Sequence, residues 1–483
     1  HLYDAGGNDS RRLDKRLLSM RWHYLWMLTT TLGRVCVFAL LVFLAGCATF
    51  RALPLSSGRG PQHLEDLTVP AASMPVSALR THRFDPTDGL DVTEVAMLAV
   101  ANNPQLKIQR DATKLAHAQA YAAGLLPDPQ LSYEHDRPTQ QQAGVTDAYT
   151  AGLTFDLGNL ITRSARVGSA RAQAQQVDLN LLWAEWQTIA QARTLFDQVY
   201  FVRERVARLH AESSALAPIR QSIQSALMNG DLTYDSASAG LNAASDVANQ
   251  SSDAQRQLHQ AEHDLHDLLG LDAAVSLHLT GAPFSVDPGE SEVKLALVGM
   301  TKRRPDLLAL QAGYRAQDEK LRAAILAQFP AITVGFVRAR DNGNISSAGF
   351  SIGLSLPLFD GNRGNIAIER ATRQQLHDDY AARLLVDRND VQRLLADVHS
   401  DRAQHAVLTA HAAQLARARE AAGTNYVAGR LDWPTYLAIR ASSLAADSAL
   451  LTLEQNIHET AIALDALVGN WPDTAQTITD KNP

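Results

Sequence analysis

A strict alternation of apolar and small or polar residues runs from Phe350 to Leu358 in the stretch SSAGFSIGLSLPLFDGNRGN. Phe350 and every second residue after it are apolar, whereas serine, glycine and proline lie between them. Alternation with a period of two residues predicts a β-strand with one apolar face. Asp360, Gly361 and Asn362 then end the pattern, and a charged, alanine-rich segment of helical character follows. We therefore expect a strand that passes into a long helix through a tight turn.

The same alternation occurs in residues 129–137, 147–157 and 330–338, which together with 347–358 make four predicted strands. Segments of about ten residues with an apolar face, a polar face and aromatic ends are typical of a transmembrane β-barrel. A soluble β-meander packed on helices would alternate equally well. A single-chain barrel needs about eight strands or more, and open strand edges in lipid would leave backbone amides without partners. The barrel interpretation therefore requires several copies of the chain.

Helical periodicity occupies most of the remaining chain. Shorter helices are predicted over 92–102, 104–126, 291–302 and 304–328. Residues 162–229 show no strong break, and a helix of that length would extend about 100 Å. Apolar residues recur along it in steps of three and four, as in a coiled coil, and Trp186 belongs to a second stripe beside the first. Two stripes indicate two neighbouring helices, and Pro218 is expected to kink the helix near its end.

Prolines and glycines recur at a constant spacing. Pro104 and Pro305 lie 201 residues apart, and further along the spacing becomes 199 residues, as between Gly230 and Gly429. The chain is therefore predicted to be a tandem duplication, in which each copy contains a short helix, a longer helix, two strands and a pair of long helices joined by a glycine turn. The predicted divisions are a first repeat at 91–271, a linker at 272–290, a second repeat at 291–470 and a tail at 471–483.

The N-terminal segment has the pattern of a targeting signal rather than that of a folded domain. The apolar run VCVFALLVFLAGC is too short to span a membrane comfortably. It ends in Leu-Ala-Gly-Cys at residues 44–47, which resembles the bacterial lipoprotein box, and Ala48 follows, which implies sorting to the outer membrane. We expect residues 1–46 to be an upstream segment and signal peptide, and Cys47 to carry a covalent lipid. Residues 47–90 would be a lipidated extended segment; an ordinary signal peptide and a short membrane helix are the alternatives.

Composition excludes several functional classes. The formal net charge is −7, with 44 basic and 51 acidic side chains and no basic cluster, so nucleic-acid binding is not expected. The two cysteines, Cys36 and Cys47, cannot form a disulfide framework. The sequence contains no GxxxxGK[ST], HExxH or GxSxG motif, so we expect neither an enzyme nor a cofactor beyond the lipid.

These features together resemble the outer-membrane efflux protein (TolC) family over about residues 85–470. The resemblance depends on the lipoprotein box, the duplicated plan with Pro104 and Pro305, the stretches AGLLPDPQLSY and SLPLFDGNRGNI, and the two glycine turns. It implies a mainly α-helical fold with a membrane β-barrel, in which a homotrimer forms one barrel of about 12 strands and a periplasmic helical tunnel. It also implies a passive outer-membrane duct that works with a periplasmic adaptor (membrane fusion protein) and an inner-membrane pump of the RND type.

The cargo is inferred only from the resemblance of one stretch of sequence to a branch of the family. The stretch LPLFDGNRGNIAIERA resembles the heavy-metal (cobalt-zinc-cadmium type) branch more than the multidrug branch, which usually carries an Asp-Leu-Phe/Trp-Gly motif after the second strand. The first repeat reads Asp156-Leu157-Gly158 there, without the aromatic residue. The resemblance therefore implies heavy-metal cations as cargo. Multidrug or other small-molecule efflux, a type I secretion duct and a soluble periplasmic helical scaffold stay open as alternatives.

The two glycine turns correspond to the periplasmic tip, where the family has its gate and adaptor contact. The family's gating acids fall on Thr435 and Ala438 here, so an acidic constriction would need other carboxylates. A ring of carboxylates favours cations, but aspartate near a helix start also caps that helix, and the two roles are compatible. The predicted tip residues are Gly230, Asp231, Asp235, Tyr426, Gly429, Arg430 and Asp432.

Three histidines, His259, His263 and His266, fall on one face of a predicted helix, with Glu262 and Asp267 beside them. Imidazole suits zinc, nickel or copper, so a metal site is one hypothesis. The alternative is the solvated face of a surface helix, because no cysteine accompanies the histidines and no supporting group is evident.

Overall fold

The computed structural model describes residues 50–55, 61, 63–64, 67–139, 144–284 and 289–468. The chain divides into two compact units, His1–Arg59 and Gly60–Pro483. In the first unit, residues 50–55 have neither helix nor strand. Among the described residues, no helix combines the length and the apolar character needed to cross a membrane. The predicted signal segment and Cys47 lie outside the described residues.

The four predicted strands form one antiparallel sheet in the order β1-β2-β3-β4. Their bounds are Gln130–Asp136 for β1, Ala148–Asp156 for β2, Ala331–Arg340 for β3 and Ser346–Ser355 for β4. The prediction for β4 was too long, because the strand ends at Ser355 rather than at Leu358. Pro357 has no N–H to continue the ladder, and the Leu358 N–H donates to the Leu356 carbonyl at 2.9 Å instead.

The helices follow the predicted order. Their bounds are Ser77–Thr81 for α1, Val92–Asn102 for α2, Pro104–Gly124 for α3, Gly158–Asn229 for α4, Tyr234–Leu269 for α5, Glu290–Arg303 for α6, Pro305–Leu326 for α7, Arg363–Val427 for α8 and Trp433–Val468 for α9. Local chemistry explains several starts: Asp91 forms a capping box with Glu94 before α2, and proline occupies the first position of α3 and α7. α4 continues through Pro218.

The two joins between strand and helix differ in length. Only Leu157 separates β2 from α4; its N–H donates to the Ile332 carbonyl at 2.8 Å. Residues 356–362 separate β4 from α8, and the backbone there reaches φ values of +52° at Gly361 and +55° at Asn362. The Asn362 side chain donates to the carbonyl of Ala324 at 2.7 Å. The predicted tight turn is therefore a longer segment, fixed to the end of α7.

The helices repeat the order of the strands. α3 leads into β1, α4 follows β2, α7 leads into β3, and α8 follows β4. α3 packs against α4, α4 against α7, and α7 against α8. Neighbouring strands therefore continue as neighbouring helices. Beyond them, α4 with α5 and α8 with α9 form two helix pairs, and α9 also contacts α4.

Each repeat has an apolar core where its short helix packs on the pair of long helices. In the first repeat, α2 packs against a cluster that contains Trp186 and Phe196 of α4 and Leu265 of α5. In the second repeat, Val293 of α6 packs with Val391 and Leu464. The duplication seen in sequence therefore extends to the packing.

Asp197 of α4 joins three parts of the chain. Its buried carboxylate accepts the Phe284 N–H at 3.2 Å, and its Oδ2 lies 3.6 Å from Nδ1 of His458 on α9. That nitrogen is also 2.9 Å from the Phe284 carbonyl. Burial raises the pKa of Asp197, and the interaction with Asp197 raises the pKa of His458. The pair therefore fixes the segment around Phe284 to both long helices.

Arg304, which lies between α6 and α7, is another charged residue with no exposed side-chain surface. It donates to Asp306 at 2.9 Å and lies 3.2 Å from Asp387 of α8. Arg383 contacts the same two carboxylates, at 3.2 and 3.3 Å, and the guanidinium of Arg304 stands 5.0 Å from the Trp183 ring of α4. Burial raises the pKa of Asp387, although Arg304 and Arg383 oppose the shift.

In the first repeat, an uncharged side chain makes the hydrogen bonds at the equivalent position. Asn103 precedes Pro104 as Arg304 precedes Pro305. The Asn103 side chain accepts the Leu106 N–H at 3.0 Å and donates to the Leu268 carbonyl at 2.8 Å. Only the second copy therefore depends on a buried ionic network at this junction.

Replacing Arg304 by methionine should destabilise the protein strongly, because Asp387 loses its buried guanidinium partner and keeps only the partly exposed Arg383. We expect a loss of about 3–5 kcal/mol in the free energy of unfolding, measured by circular dichroism during guanidinium unfolding in detergent. Arg383→Met is the matched control; its side chain is 44% exposed, and it should cost about 1 kcal/mol or less. Equal effects of the two substitutions would contradict the assignment.

Candidate functional site

The turn between α4 and α5 is built around Gly230, which follows the last residue of α4. Its φ of +83° lies in the left-handed region that favours glycine. The Asp231 N–H donates to the Ala226 carbonyl at 2.8 Å and thereby satisfies the helix end. Thr233 and Ser236 then form a capping box that starts α5. Asp231 and Asp235 are exposed, and Asp235 lies in the first turn of α5.

The turn between α8 and α9 has the same design. Gly429 has a φ of +68°, and the Arg430 N–H donates to the Asn425 carbonyl at 2.8 Å. Asp432 accepts the Thr435 N–H at 3.1 Å, and its hydrogen bonding with Thr435 lowers its pKa. Asp432 therefore caps α9, one of the two roles considered for the predicted acids. Its carboxylate is also exposed.

Close to these turns, two side chains of α9 bring three helices together. The rings of Tyr426 and Tyr436 stack with centroids 4.6 Å apart. Arg440 donates to the Tyr436 hydroxyl at 2.9 Å and to both carboxylate oxygens of Glu212 on α4, at 2.7 and 2.6 Å. The side chains of Glu212 and Arg440 are only 7% and 15% exposed. This bidentate pair, which is charge-assisted and largely out of water, fixes α9 to α4.

Trp433 reinforces the same junction from the start of α9. Its ring lies over Gly240 of α5, where an added Cβ would come within 2.6 Å of the indole and 2.5 Å of Ile223. Gly240 is therefore required for close approach, not for its backbone angles. Near the turns, the Trp433 contact and the ion pair between Arg440 and Glu212 thus add to the apolar packing of α9 on the first helix pair.

Of the residues predicted at the tip, the structure brings Gly230, Asp231 and Asp235 to one turn and the other four to the second turn. Sequence reasoning missed Glu212, Trp433 and Arg440. Arg440 and Glu212 are 228 positions apart, and at the 199-residue repeat spacing Arg440 corresponds to Leu241. The only local signal is the position of Tyr436 one helical turn before Arg440.

The three histidines predicted as a metal site do not form a group of closely spaced ligand atoms. His266 has Nδ1 at 2.6 Å from the Glu262 carbonyl and Nε2 at 2.7 Å from the Val275 carbonyl. His259 and His263 are exposed. Within the described part of the chain, the group whose potential ligand atoms lie within 4.8 Å of one another is instead His82, Asp91 and Glu94. We therefore propose no metal site on the three histidines.

The two acids of that second group, Asp91 and Glu94, already cap the start of α2. Asp91 Oδ1 accepts the N–H groups of Thr93 and Glu94, at 2.7 and 2.8 Å. The two oxygens of Glu94 accept the N–H groups of Asp85 and Asp91, at 2.7 and 3.0 Å. This arrangement is a helix cap, and a metal would have to compete with it.

The apolar face of the sheet is uncovered. Leu131 is 80% exposed, Phe350 is 90% exposed and Ile352 is 77% exposed. Contiguous apolar surface of this kind marks a contact with a membrane or with another protein.

Comparison with known proteins agrees with these features. Residues 298–470 match the family described as outer membrane efflux protein. The multidrug resistance outer membrane protein MdtQ of Escherichia coli O157:H7 is 25% identical over 422 residues, which cover 76% of this chain and 83% of MdtQ. The putative multidrug resistance outer membrane protein MdtQ of Shigella flexneri is 25% identical over 421 residues, with the same shares of the two chains covered, 76% and 83%.

Solved structures of outer-membrane channels share the fold. CusC aligns with a TM-score of 0.66 at 18% identity, covering 85% of this chain and 99% of CusC. The outer-membrane channel OprN aligns with a TM-score of 0.67 at 16% identity, covering 88% of this chain and 99% of OprN. The open-state MtrE outer membrane channel of Neisseria gonorrhoeae gives 0.66 at 17% identity, covering 79% and 90% of the respective chains. Over residues 298–470 the chain is thus similar to the outer membrane efflux protein family, and its fold is that of the solved outer-membrane channels.

Proposed function

We propose that three copies of this chain form the outer-membrane exit duct of a tripartite efflux assembly, through which cargo leaves the periplasm passively. The observation that supports this most is the shared order of strands and helices. A ring of copies that closes the sheet into a barrel also closes the helices into a tunnel. A periplasmic adaptor and an inner-membrane pump of the RND type are the proposed partners, and the pump would supply the energy.

The edges of the protomer are suited to such a ring. β1 and β4 each have one neighbour in the described sheet, so their outer edges would leave backbone groups unpaired in lipid. On the helices that continue these edge strands, Ile108 and Leu115 of α3 and Leu385 of α8 are exposed. Pairing β4 of one copy with β1 of the next would complete the ladder and cover these side chains together.

We propose the two turns as the periplasmic entrance and adaptor contact. Asp231, Asp235 and Asp432 are exposed there, and their carboxylates would favour cations at the entrance. An entrance that widens by moving α9 away from α4 must break the ion pair between Arg440 and Glu212. That pair is therefore proposed to stabilise the narrow state.

Small organic molecules are the cargo we propose first, because the curated relatives carry the name multidrug resistance protein. Heavy-metal cations are the second candidate. The stretch LPLFDGNRGNIAIERA favours them, and this prediction stays open. The exposed acids at the entrance fit organic cations and metal cations equally well, so they do not separate the two classes.

Growth assays on a strain that lacks this chain separate the two cargo classes. We expect a several-fold fall in the inhibitory concentrations of dyes, detergents and organic cations, restored by the wild-type gene. Zinc, cobalt, cadmium and copper are tested in parallel. Sensitivity confined to the metals would contradict the organic cargo and support the second candidate.

Glu212→Gln should widen the entrance, because Arg440 loses a partner with which it is largely buried. A loss of about 2 kcal/mol would change the ratio of narrow to wide states more than tenfold. Single-channel conductance in planar bilayers measures the change. Asp447→Asn is the matched control, since it removes the weaker pair with Arg419, at 3.7 Å, within the α8–α9 pair. Unchanged conductance in Glu212→Gln would overturn the assignment.

Cys47→Ala should abolish lipid attachment, because the thiol is the proposed attachment point. Intact mass measured after membrane extraction should show a diacylglyceryl and acyl addition in the wild type and none in the variant. Cys36→Ala is the matched control, because Cys36 lies in the proposed signal peptide and would be absent from the mature chain. An unmodified mature cysteine in the wild type would refute lipidation.

A further inference from the structure

The charges of the sheet are separated by face. Strand alternation and register place His135, Arg338 and Arg340 on the face that carries Leu131, Leu153, Phe336 and Phe350. The carboxylates of the strands, Glu134, Asp136 and Asp156, all lie on the opposite face. Among the strand residues, the apolar face therefore carries the two guanidinium cations of Arg338 and Arg340 and no acid.

These cations occupy one end of the apolar face. Arg340 pairs across the sheet with Tyr149, which pairs with His135. The next row contains Arg338, Ala151 and Tyr133. The row after that is wholly apolar, and so are those that follow it toward the helices. Arg338 is thus about 7 Å along the strand from the first fully apolar row.

The neighbouring groups leave much of this positive charge available. Arg340 donates to the Asp147 backbone carbonyl at 3.3 Å and lies 5.4 Å from the Tyr149 ring. Asp147 is the nearby acid, and its carboxylate lies 3.5 Å from His135 and 3.6 Å from Arg137. Arg338 is exposed and has no ion pair or hydrogen-bond partner among the described side chains.

We propose that Arg338 and Arg340, beside the stacked rings of Tyr133 and Tyr149, bind the phosphate groups of lipid headgroups in the leaflet at the hairpin end of the sheet. This inference rests on the proposed membrane insertion. Guanidinium groups bind phosphate through two parallel hydrogen bonds. Their aliphatic stems can lie along apolar surface while the charged ends reach the headgroups. Aromatic side chains at the same level are typical of a membrane interface.

The test is a binding titration of the purified protein in detergent with a fluorescent diphosphorylated glycolipid. The double variant Arg338→Gln/Arg340→Gln should bind it at least about tenfold more weakly, because charge-assisted contacts are lost. Arg388→Gln, an exposed arginine on α8, is the matched control and should bind like the wild type. The single variants Arg338→Lys and Arg340→Lys, which keep the charge and lose the bidentate geometry, should give intermediate affinities even if the double variant folds poorly.

Three results would overturn the inference. These are unchanged affinity in the double variant, equal binding of the dephosphorylated glycolipid, and complete competition by millimolar inorganic phosphate, which would indicate a site for the free anion. Conductance in planar bilayers is measured on the same samples. A wild type that neither inserts nor conducts would refute the proposed function itself. Conducting protein with unaltered lipid affinity in the variants would refute only the headgroup site.

Discussion

The unpaired backbone groups at the two edges of the sheet are the constraint on which the rest of the structure depends. Lipid offers no hydrogen-bonding partner for an open strand edge, so the apolar face can meet a membrane only if β1 and β4 are paired with other copies. Closing the sheet in this way fixes the sequence of strands around the ring. Because α3, α4, α7 and α8 follow the same order, it fixes the sequence of helices as well.

The duplication gives this arrangement two similar halves with different chemistry at one junction. Asn103 satisfies helix ends of the first repeat with neutral hydrogen bonds. At the same point of the second repeat, four charged side chains meet around Arg304, and all of them except Arg383 are largely buried. Buried ion pairs are rarely more stabilising than apolar packing, but they penalise any arrangement that separates them. The network therefore specifies one placement of α6, α7 and α8, where simple apolar packing would tolerate others.

The sequence was informative where the determinants are local. Alternation predicted all four strands, and Gly230 and Gly429 predicted the two turns, because left-handed backbone favours glycine. The end of β4 was wrong, because the apolar pattern continues to Leu358 although Pro357 cannot extend the ladder. The contact between Arg440 and Glu212 was missed because only the packing of α9 on α4 brings these residues together. The histidines at 259, 263 and 266 have the spacing of metal ligands on a helix. However, one of the two carbonyl groups that contact the ring nitrogens of His266 belongs to a segment outside that helix, which the spacing does not reveal.

The unequal joins between strand and helix have a mechanical consequence. Leu157 alone connects β2 to α4, and an added Cβ on Gly158 would lie 3.0 Å from Ala331, so torsion in α4 passes directly into the sheet. The segment 356–362 between β4 and α8 has several rotatable bonds to absorb such torsion. We therefore expect the first helix pair to be coupled more rigidly to the sheet than the second pair, which would turn more freely relative to it.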